Sequence, residues 1–151
     1  MKTVAILHRC LMFGTLNEEQ LKVVETMCTP EVFEPGEILC KQDTRGDKTY
    51  VITEGLVAII LELGPLTHRQ VQSASNYDVV GWSSVIEPDS STATVRAIER
   101  TEVLAFIGED LRSLCATRPD IGCRISRGTA RVVATRLRHA YTQLLGVYSD
   151  D

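Results

Sequence analysis

The chain has 151 residues, of which 44% are hydrophobic and 24% are charged, and its formal net charge is −4. These values are typical of one globular domain and exclude a disordered chain, and the negative charge gives no general attraction for nucleic acid. No apolar run approaches the ~20 residues of a membrane span. The N-terminus also lacks the pattern of a secretory signal, so we expect a cytoplasmic protein with a single domain over residues 1–151.

Short helices are predicted within residues 1–30. Apolar residues recur at a helical spacing near the N-terminus, and Asn17 is a favourable N-cap for a second helix. Gln20 stands at the third position of that helix, close to a capping box. Pro30 disfavours helical backbone in Thr29, so we predict that the helix ends there.

Residues 31–107 change to the alternation of apolar and polar side chains that indicates β-strands. Turn signals such as Pro35-Gly36 and Glu54-Gly55 separate the short runs. We predict about eight strands in an antiparallel β-roll, or jelly roll, so the fold class is mainly β with flanking helices.

Residues 108–148 return to the helical period, with a short helix before Pro119 and a long helix after it. The long helix carries an apolar stripe of Ile121, Ile125, Val132, Leu137, Leu144 and Tyr148. It would be about 40 Å long, more than a domain of this size needs to cover its core. We therefore predict a homodimer through this stripe. The alternative is that the helix folds back along the roll and buries the stripe within its own chain.

The cysteines and histidines are scattered along the chain, at Cys10, Cys28, Cys40, Cys115, Cys123, His8, His68 and His139. They form no CxxC pair and no recognisable catalytic arrangement. We therefore predict reduced cysteines that act as small core residues, no catalytic residue and no metal site. Zinc, haem and iron–sulfur clusters remain alternatives, because a fold can gather distant ligands.

The segment FEPGEILCKQDTRGDKTYVITEGLV, residues 33–57, resembles the cyclic nucleotide-binding domain of the Crp/Fnr superfamily. It has that family's Pro-Gly-Glu turn, a Gly-Asp turn and Tyr-Val-Ile before Glu-Gly. The segment ATRPDIGCRISRGTARVVATRL, residues 116–137, is similar to the family's link into its dimerising helix. Transcription factors of this family continue into a helix-turn-helix domain, whereas this sequence ends at VYSDD, so we expect no direct DNA binding.

The segment VVGWSSVIEPDSSTATVRAIE, residues 79–99, aligns with the family's phosphate-binding cassette. In members that bind cyclic AMP or GMP, a Glu after a Gly binds the ribose and a later Arg pairs with the cyclic phosphate. Aligning Gly81 with that Gly puts Trp82 at the Glu position and Ser91 at the Arg position. The cassette that the resemblance implies comprises Gly81, Trp82, Ser83, Ser84, Ser90, Ser91 and Thr92. Without the two charged side chains, we expect an affinity for cyclic AMP lower by ~100-fold or more.

Few other residues could replace the lost charges. Strand alternation directs Arg96 away from the pocket, and Glu87 and Asp89 would repel an anion. In the family the long helix lies against the base of the nucleotide, so the resemblance implies that Arg127 and Arg131 face the pocket and could hold an anion.

Trp82 has two interpretations: an apolar anchor that fills the space of ribose and phosphate, or a stacking residue for a flatter, less charged ligand. The long helix also has a run of arginines with two interpretations, a solvated flank or a docking surface for an acidic partner. These arginines are Arg118, Arg124, Arg127, Arg131, Arg136 and Arg138, against the single acidic Asp120.

From these observations we expect a non-enzymatic regulatory or sensor module that acts through a partner protein and does not bind ordinary cyclic AMP tightly. No cofactor is assigned, although a cyclic nucleotide or another small ligand fits this interpretation. One alternative is a receptor for a cyclic nucleotide or other small anion with an altered cassette. A second is a purely structural dimerisation module.

Overall fold

The computed structural model describes residues 2–86 and 91–149, with side chains as far as residue 146. The chain begins with helices α1 (Thr3–His8) and α2 (Glu18–Glu25). Six strands follow: β1 (Cys28–Phe33), β2 (Ile38–Cys40), β3 (Lys48–Glu54), β4 (Val57–Gly64), β5 (Thr67–Ala74) and β6 (Val79–Val80). The remaining elements are the one-turn helix α3 (Ser83–Ile86), β7 (Thr94–Ala97), β8 (Thr101–Ile107), α4 (Gly108–Thr117) and α5 (Pro119–Ser149).

The described strands form two four-stranded sheets, in the orders β1-β8-β3-β6 and β2-β7-β4-β5. Every strand pair is antiparallel. The predicted eight-stranded β-roll with short N-terminal helices and a long C-terminal helix is therefore confirmed.

Helix α2 begins as predicted and ends earlier than predicted. The side chain of Asn17 accepts a hydrogen bond from the backbone of Gln20, and the side chain of Gln20 accepts one from the backbone of Asn17, each at 2.9 Å. The helix ends at Glu25, and Pro30 lies inside β1, so the predicted end near Thr29 is wrong. Because β1 is an edge strand, a proline without an N–H is tolerated there.

The first half of α5 belongs to the core of its own chain. Ile121 and Ile125 have no exposed surface and Val132 is 4% exposed, and all three pack in the cluster formed by the N-terminal helices and α4. A Cβ on Gly128 would overlap the backbone of Met12, so this glycine permits the close approach of α5. The alternative of burial within the chain is therefore correct for these three members of the predicted stripe.

The second half of α5 leaves its apolar side chains exposed. Leu137 is 49% exposed, Tyr141 57%, Leu144 58% and Leu145 70%. The predicted dimer stripe is thus divided near residue 136, because only the first half of the helix reaches the N-terminal helices. The side chain of Tyr148 lies outside the described part of the chain.

None of the described helices is both long and apolar enough to cross a membrane.

Candidate functional site

A cavity of about 910 Å³ lies between the roll and the second half of α5. Its size falls in the range of small-molecule sites, and its walls are mostly apolar. The lining residues come from the strands and the cassette (Cys40, Ile59, Leu61, Arg69, Gln70, Val71, Gln72, Val79, Val80, Gly81, Trp82, Ser83, Ser91, Thr92, Ala93, Val95) and from α5 (Arg136, Ala140, Gln143, Leu144, Gly146). The cavity thus contains most of the predicted cassette.

Gly81 starts the cassette in a conformation that favours glycine. Its φ is +73°, and a Cβ at this position would lie 2.7 Å from the carbonyl oxygen of Lys48. Its own carbonyl accepts a hydrogen bond of 2.9 Å from the hydroxyl of Thr49. The backbone after Gly81 then forms the single turn of α3, so strand β6 leads directly into the cavity wall.

Ser84 has a structural position within the cassette. Its hydroxyl lies 2.7 Å from the Thr49 hydroxyl, it is fully buried, and it is not a lining residue. Its carbonyl also accepts a hydrogen bond from Arg112. The structure thus separates Ser84 from Ser83, which does line the cavity.

Trp82 is half-buried between the core and the cavity. It packs against the apolar cluster that contains the N-terminal helices, and it also forms part of the cavity wall. A cavity of about 910 Å³ remains beside it. Both interpretations of Trp82, as an apolar anchor and as a surface for stacking, therefore have a structural basis.

Ser91, which the sequence resemblance aligns with the family's phosphate-binding Arg, lies in the cavity wall. Its N–H donates to the carbonyl of Thr44 at 2.8 Å, and its carbonyl accepts from the N–H of Asp43 at 3.0 Å. These bonds fix the backbone of Ser91 against the loop between β2 and β3. Thr92 lines the cavity beside it, whereas Ser90, together with Glu87 and Asp89, lies outside the described residues.

Two arginines line the cavity, Arg69 of β5 and Arg136 of α5, and the sequence analysis assigned neither of them to the pocket. Arg127 and Arg131 are exposed and do not line the cavity, which corrects their predicted placement. The reason is the helical period. Arg136 follows the buried Val132 by four residues and shares its face, whereas Arg127 and Arg131 lie together on another face of α5. As predicted from strand alternation, Arg96 is exposed and outside the cavity wall.

Hydrogen bonds attach Arg136 to two strands. Its Nη2 donates to the carbonyl of Val79 at 3.0 Å, and its own carbonyl accepts from Nε2 of Gln72 at 2.9 Å. Burial lowers the pKa of the Arg136 guanidinium from its ordinary value, and the charge of Asp78 acts in the opposite direction. The oxygen of the Gln72 amide, Oε1, is buried without a hydrogen-bond partner among the described residues.

The remaining arginines of the run divide into paired and exposed ones. Arg118 bridges Asp120 at 2.9 Å and Glu19 at 3.2 Å, and Arg124 donates to the carbonyl of Thr15. These two arginines thus attach the start of α5 to the N-terminal helices. Arg127, Arg131 and Arg138 are exposed, and their guanidinium groups have no hydrogen-bond or ion-pair partner among the described residues. Their spacing of four and seven residues places these three on one face of α5.

The cysteine in the cavity is not poised for reaction. Burial raises the pKa of the Cys40 thiol to about 11, so the thiol stays protonated at neutral pH. Within residues 2–86 and 91–149, no group of three or more His, Cys, Asp or Glu side chains is placed to hold a metal ion.

With this geometry in view, the chain can be compared with known proteins. The family model described as "Cyclic nucleotide-binding domain" matches residues 30–118, more than half of the chain. The chain therefore belongs to the cyclic nucleotide-binding domain family, and the resemblance to the Crp/Fnr type is confirmed.

Individual relatives agree with this assignment. The human cyclic nucleotide-gated channel alpha-2 is 27% identical over 126 residues, which cover 80% of this chain and 18% of the channel. The N-terminal domain of a transcriptional regulator from Streptomyces coelicolor is 27% identical with a TM-score of 0.71, covering 96% of this chain and 98% of that structure. A cyclic nucleotide-binding domain from Methylobacillus flagellatus has a TM-score of 0.83 at 18% identity, covering 95% and 81%. The chain thus spans less than a third of the curated relatives' length. The similarity to the Methylobacillus flagellatus domain concerns the fold alone.

Proposed function

We propose that the chain is a non-enzymatic regulatory module that senses a small ligand in the cavity and does not bind ordinary cyclic AMP tightly. The observation that carries this proposal is the open cavity of about 910 Å³, whose wall includes Trp82 and Ser91, the two residues that the sequence resemblance aligns with the ribose-binding Glu and the phosphate-binding Arg. The protonated thiol of Cys40 supports a binding role rather than a catalytic one, and so does the lack of a His, Asp or Glu among the described residues that line the cavity. The cytoplasmic location and the single-domain organisation stay predictions from the sequence.

The energetic argument concerns the cyclic phosphate. A neutral hydrogen bond from Ser91 is worth about 0.5–1.5 kcal/mol net, against about 1.5–3 kcal/mol for a charge-assisted one. Trp82 has no carboxylate to accept from a ribose hydroxyl. Each loss lowers the affinity by about tenfold, so their sum favours a ligand other than cyclic AMP.

Trp82 makes this proposal testable, because it is the only tryptophan in the sequence and it lines the cavity. Fluorescence and calorimetric titrations with cyclic AMP, cyclic GMP and cyclic dinucleotides should show no saturable binding at micromolar concentrations. Micromolar binding of any of them would favour the alternative, a cyclic nucleotide receptor with an altered cassette.

We also propose that the chain forms a homodimer through the exposed half of α5. Ala134, Leu137, Tyr141 and Leu144 follow one another at spacings of three, four and three residues, as in a coiled-coil seam. The exposure of the three large side chains supports a second copy as their partner.

Light scattering tests the seam. Leu137→Asp should give a monomer that remains folded, because Leu137 is half-exposed in the single chain. His139→Asp, on the opposite side of the helix from the seam, is the matched control and should remain a dimer. If Leu137→Asp remains a dimer, the seam is misplaced. A dimer whose Trp82 responds to no ligand would favour the purely structural alternative.

The exposed arginine face of Arg127, Arg131 and Arg138 supports an output through an acidic partner protein. A triple variant with glutamate at these positions should lose a partner that the wild-type chain captures from its native extract. If the triple variant captures the same partner, the arginine face is not the docking surface, and the alternative of a solvated flank is favoured.

A further inference from the structure

The walls of the cavity carry an unbalanced positive charge. Arg69 and Arg136 line it, and the lining contains no Asp or Glu among the described residues, in a chain whose formal net charge is −4. Arg69 is exposed, whereas Arg136 is half-buried against β6. A cavity with this charge is suited to a negatively charged ligand rather than a neutral one.

The guanidinium of Arg136 is left with unused donors. Of its five N–H groups, one donates to Val79, and the described residues provide no further hydrogen bond and no ion pair. A charge that is partly removed from water needs an anionic partner, and a planar carboxylate or sulfonate can accept two of these N–H groups at once. Burial also lowers the pKa of Arg136, and the charge of Asp78 offsets this effect only in part.

Gln72 holds the backbone of Arg136 at this wall. Its Nε2 donates to the carbonyl of Arg136, which fixes the amide. Its Oε1 has no partner among the described residues and almost no accessible surface, so the anion site does not depend on it.

The remaining walls are apolar. Ile59 and Leu61 of β4, Val71 of β5 and Leu144 of α5 offer an apolar surface, and Trp82 adds an aromatic one. A body such as a fused aromatic ring would bury apolar area there without needing polar partners.

We infer that the cavity binds a small organic anion in which one carboxylate or sulfonate pairs with Arg136 and an aromatic or aliphatic body fills the apolar walls. This inference rests on the proposed function, that the cavity holds a small ligand. It moves the anion site from the cassette at Ser91 to helix α5. The competing explanation is that Arg136 only fastens α5 to β5 and β6 through its two hydrogen bonds.

Two probes with the same aromatic body separate these explanations: 8-anilinonaphthalene-1-sulfonate and the uncharged N-phenyl-1-naphthylamine. Binding is followed by probe fluorescence and by the quenching of Trp82, which lines the cavity. The sulfonate should bind the wild-type chain about tenfold or more tightly than the neutral probe. Arg136→Gln should remove that preference and leave the affinity for the neutral probe within about twofold.

Two further variants complete the design. Arg138→Gln, an exposed arginine of the same helix outside the cavity, should change neither affinity. Arg136→Lys should restore part of the preference, because it keeps the charge and loses the planar pair. Melting curves of all variants report whether α5 stays in place.

The outcomes distinguish the inference from the proposal beneath it. If both probes quench Trp82 with equal affinity, or if Arg136→Gln leaves the preference intact, the anion site is refuted and the ligand cavity stands. If Arg136→Gln loses both probes together with its melting transition, Arg136 is a structural fastener and the inference is also refuted. If neither probe reaches Trp82 in the wild-type chain, the cavity does not accept organic ligands, and the proposed function falls with the inference.

Discussion

Restoring the charged side chains of the cassette should restore binding of cyclic AMP. The variant Ser91→Arg places a guanidinium at the family's phosphate position, and Trp82→Glu in the same chain supplies the ribose acceptor. Both positions line the same cavity, and the backbone of Ser91 is fixed by Thr44 and Asp43. A longer side chain at position 91 therefore starts from a defined point in the wall.

The magnitude follows from the hydrogen bonds exchanged. Replacing a neutral bond by a charge-assisted one gains about 1–1.5 kcal/mol, or about tenfold in affinity, and the double variant should gain about 100-fold. The unliganded double variant should be less stable than the wild-type chain, because Ser91 is only 4% exposed and a charge there is unpaired. Cyclic AMP at 100 times its Kd should raise the free energy of unfolding of the double variant by about 2.7 kcal/mol. For a chain of this size, this is an increase of about 5–10 °C in melting temperature.

Calorimetry with cyclic AMP and melting curves with and without it measure the two effects. Thr92→Arg is the matched control, since it brings the same charge into the cavity wall one residue away. The alignment of Ser91 with the phosphate position is refuted if a folded Ser91→Arg chain gains no affinity, or if Thr92→Arg gains as much.

Further predictions concern the glycine of the cassette, one ion pair and the thiols. Gly81→Ala should lower the free energy of unfolding by about 1–3 kcal/mol in denaturant titrations, since its φ is +73° and the added Cβ meets a backbone carbonyl; a change below ~0.5 kcal/mol contradicts this. The hydrogen bond from Arg118 holds the pKa of Asp120 well below its ordinary value of 3.8, so this stabilisation exists above that value and is lost as the pH falls below it. Melting temperatures should then fall less on acidification in Asp120→Asn than in the wild-type chain, and parallel curves would argue against the ion pair. A thiol reagent should modify the exposed Cys123 in the folded chain and Cys10 only after unfolding, because burial raises the pKa of the Cys10 thiol to about 12; early modification of Cys10 would show that its site opens in the native state.

The features that the sequence predicted correctly depend on local chemistry. The capping box at Asn17 needs only residues three apart, and the β-roll follows from alternation and turn residues within short segments. The early end of α2 was missed because Pro30 is compatible with an edge strand as well as with a helix end. Which strand lies at an edge depends on pairing with β8, a partner more than sixty residues away.

The polar residues of the cavity could not be predicted, because their position also depends on contacts between segments that are far apart in the sequence. β5 is polar along most of its length, so alternation does not reveal that Gln72 turns toward α5. A signal for Arg136 existed, because it continues the buried face of Ile125 and Val132 at helical spacing. The sequence predicts that this face is a dimer stripe, and its actual partner, mainly the N-terminal helices and α4 of the same chain, depends on tertiary packing alone.

The second half of α5 connects the cavity wall with the exposed apolar seam. Residues up to Val132 are held in the core, whereas Leu144 lines the cavity and also belongs to the exposed apolar seam. A ligand that packs against Leu144 changes the surface that a second copy would contact, and it does so without moving the anchored half of the helix. Because linkage is reciprocal, any factor by which the ligand strengthens dimerisation is also the factor by which the dimer strengthens ligand binding. In the proposed sensor, the same helical turn would be both the wall of the ligand site and the start of the dimer interface.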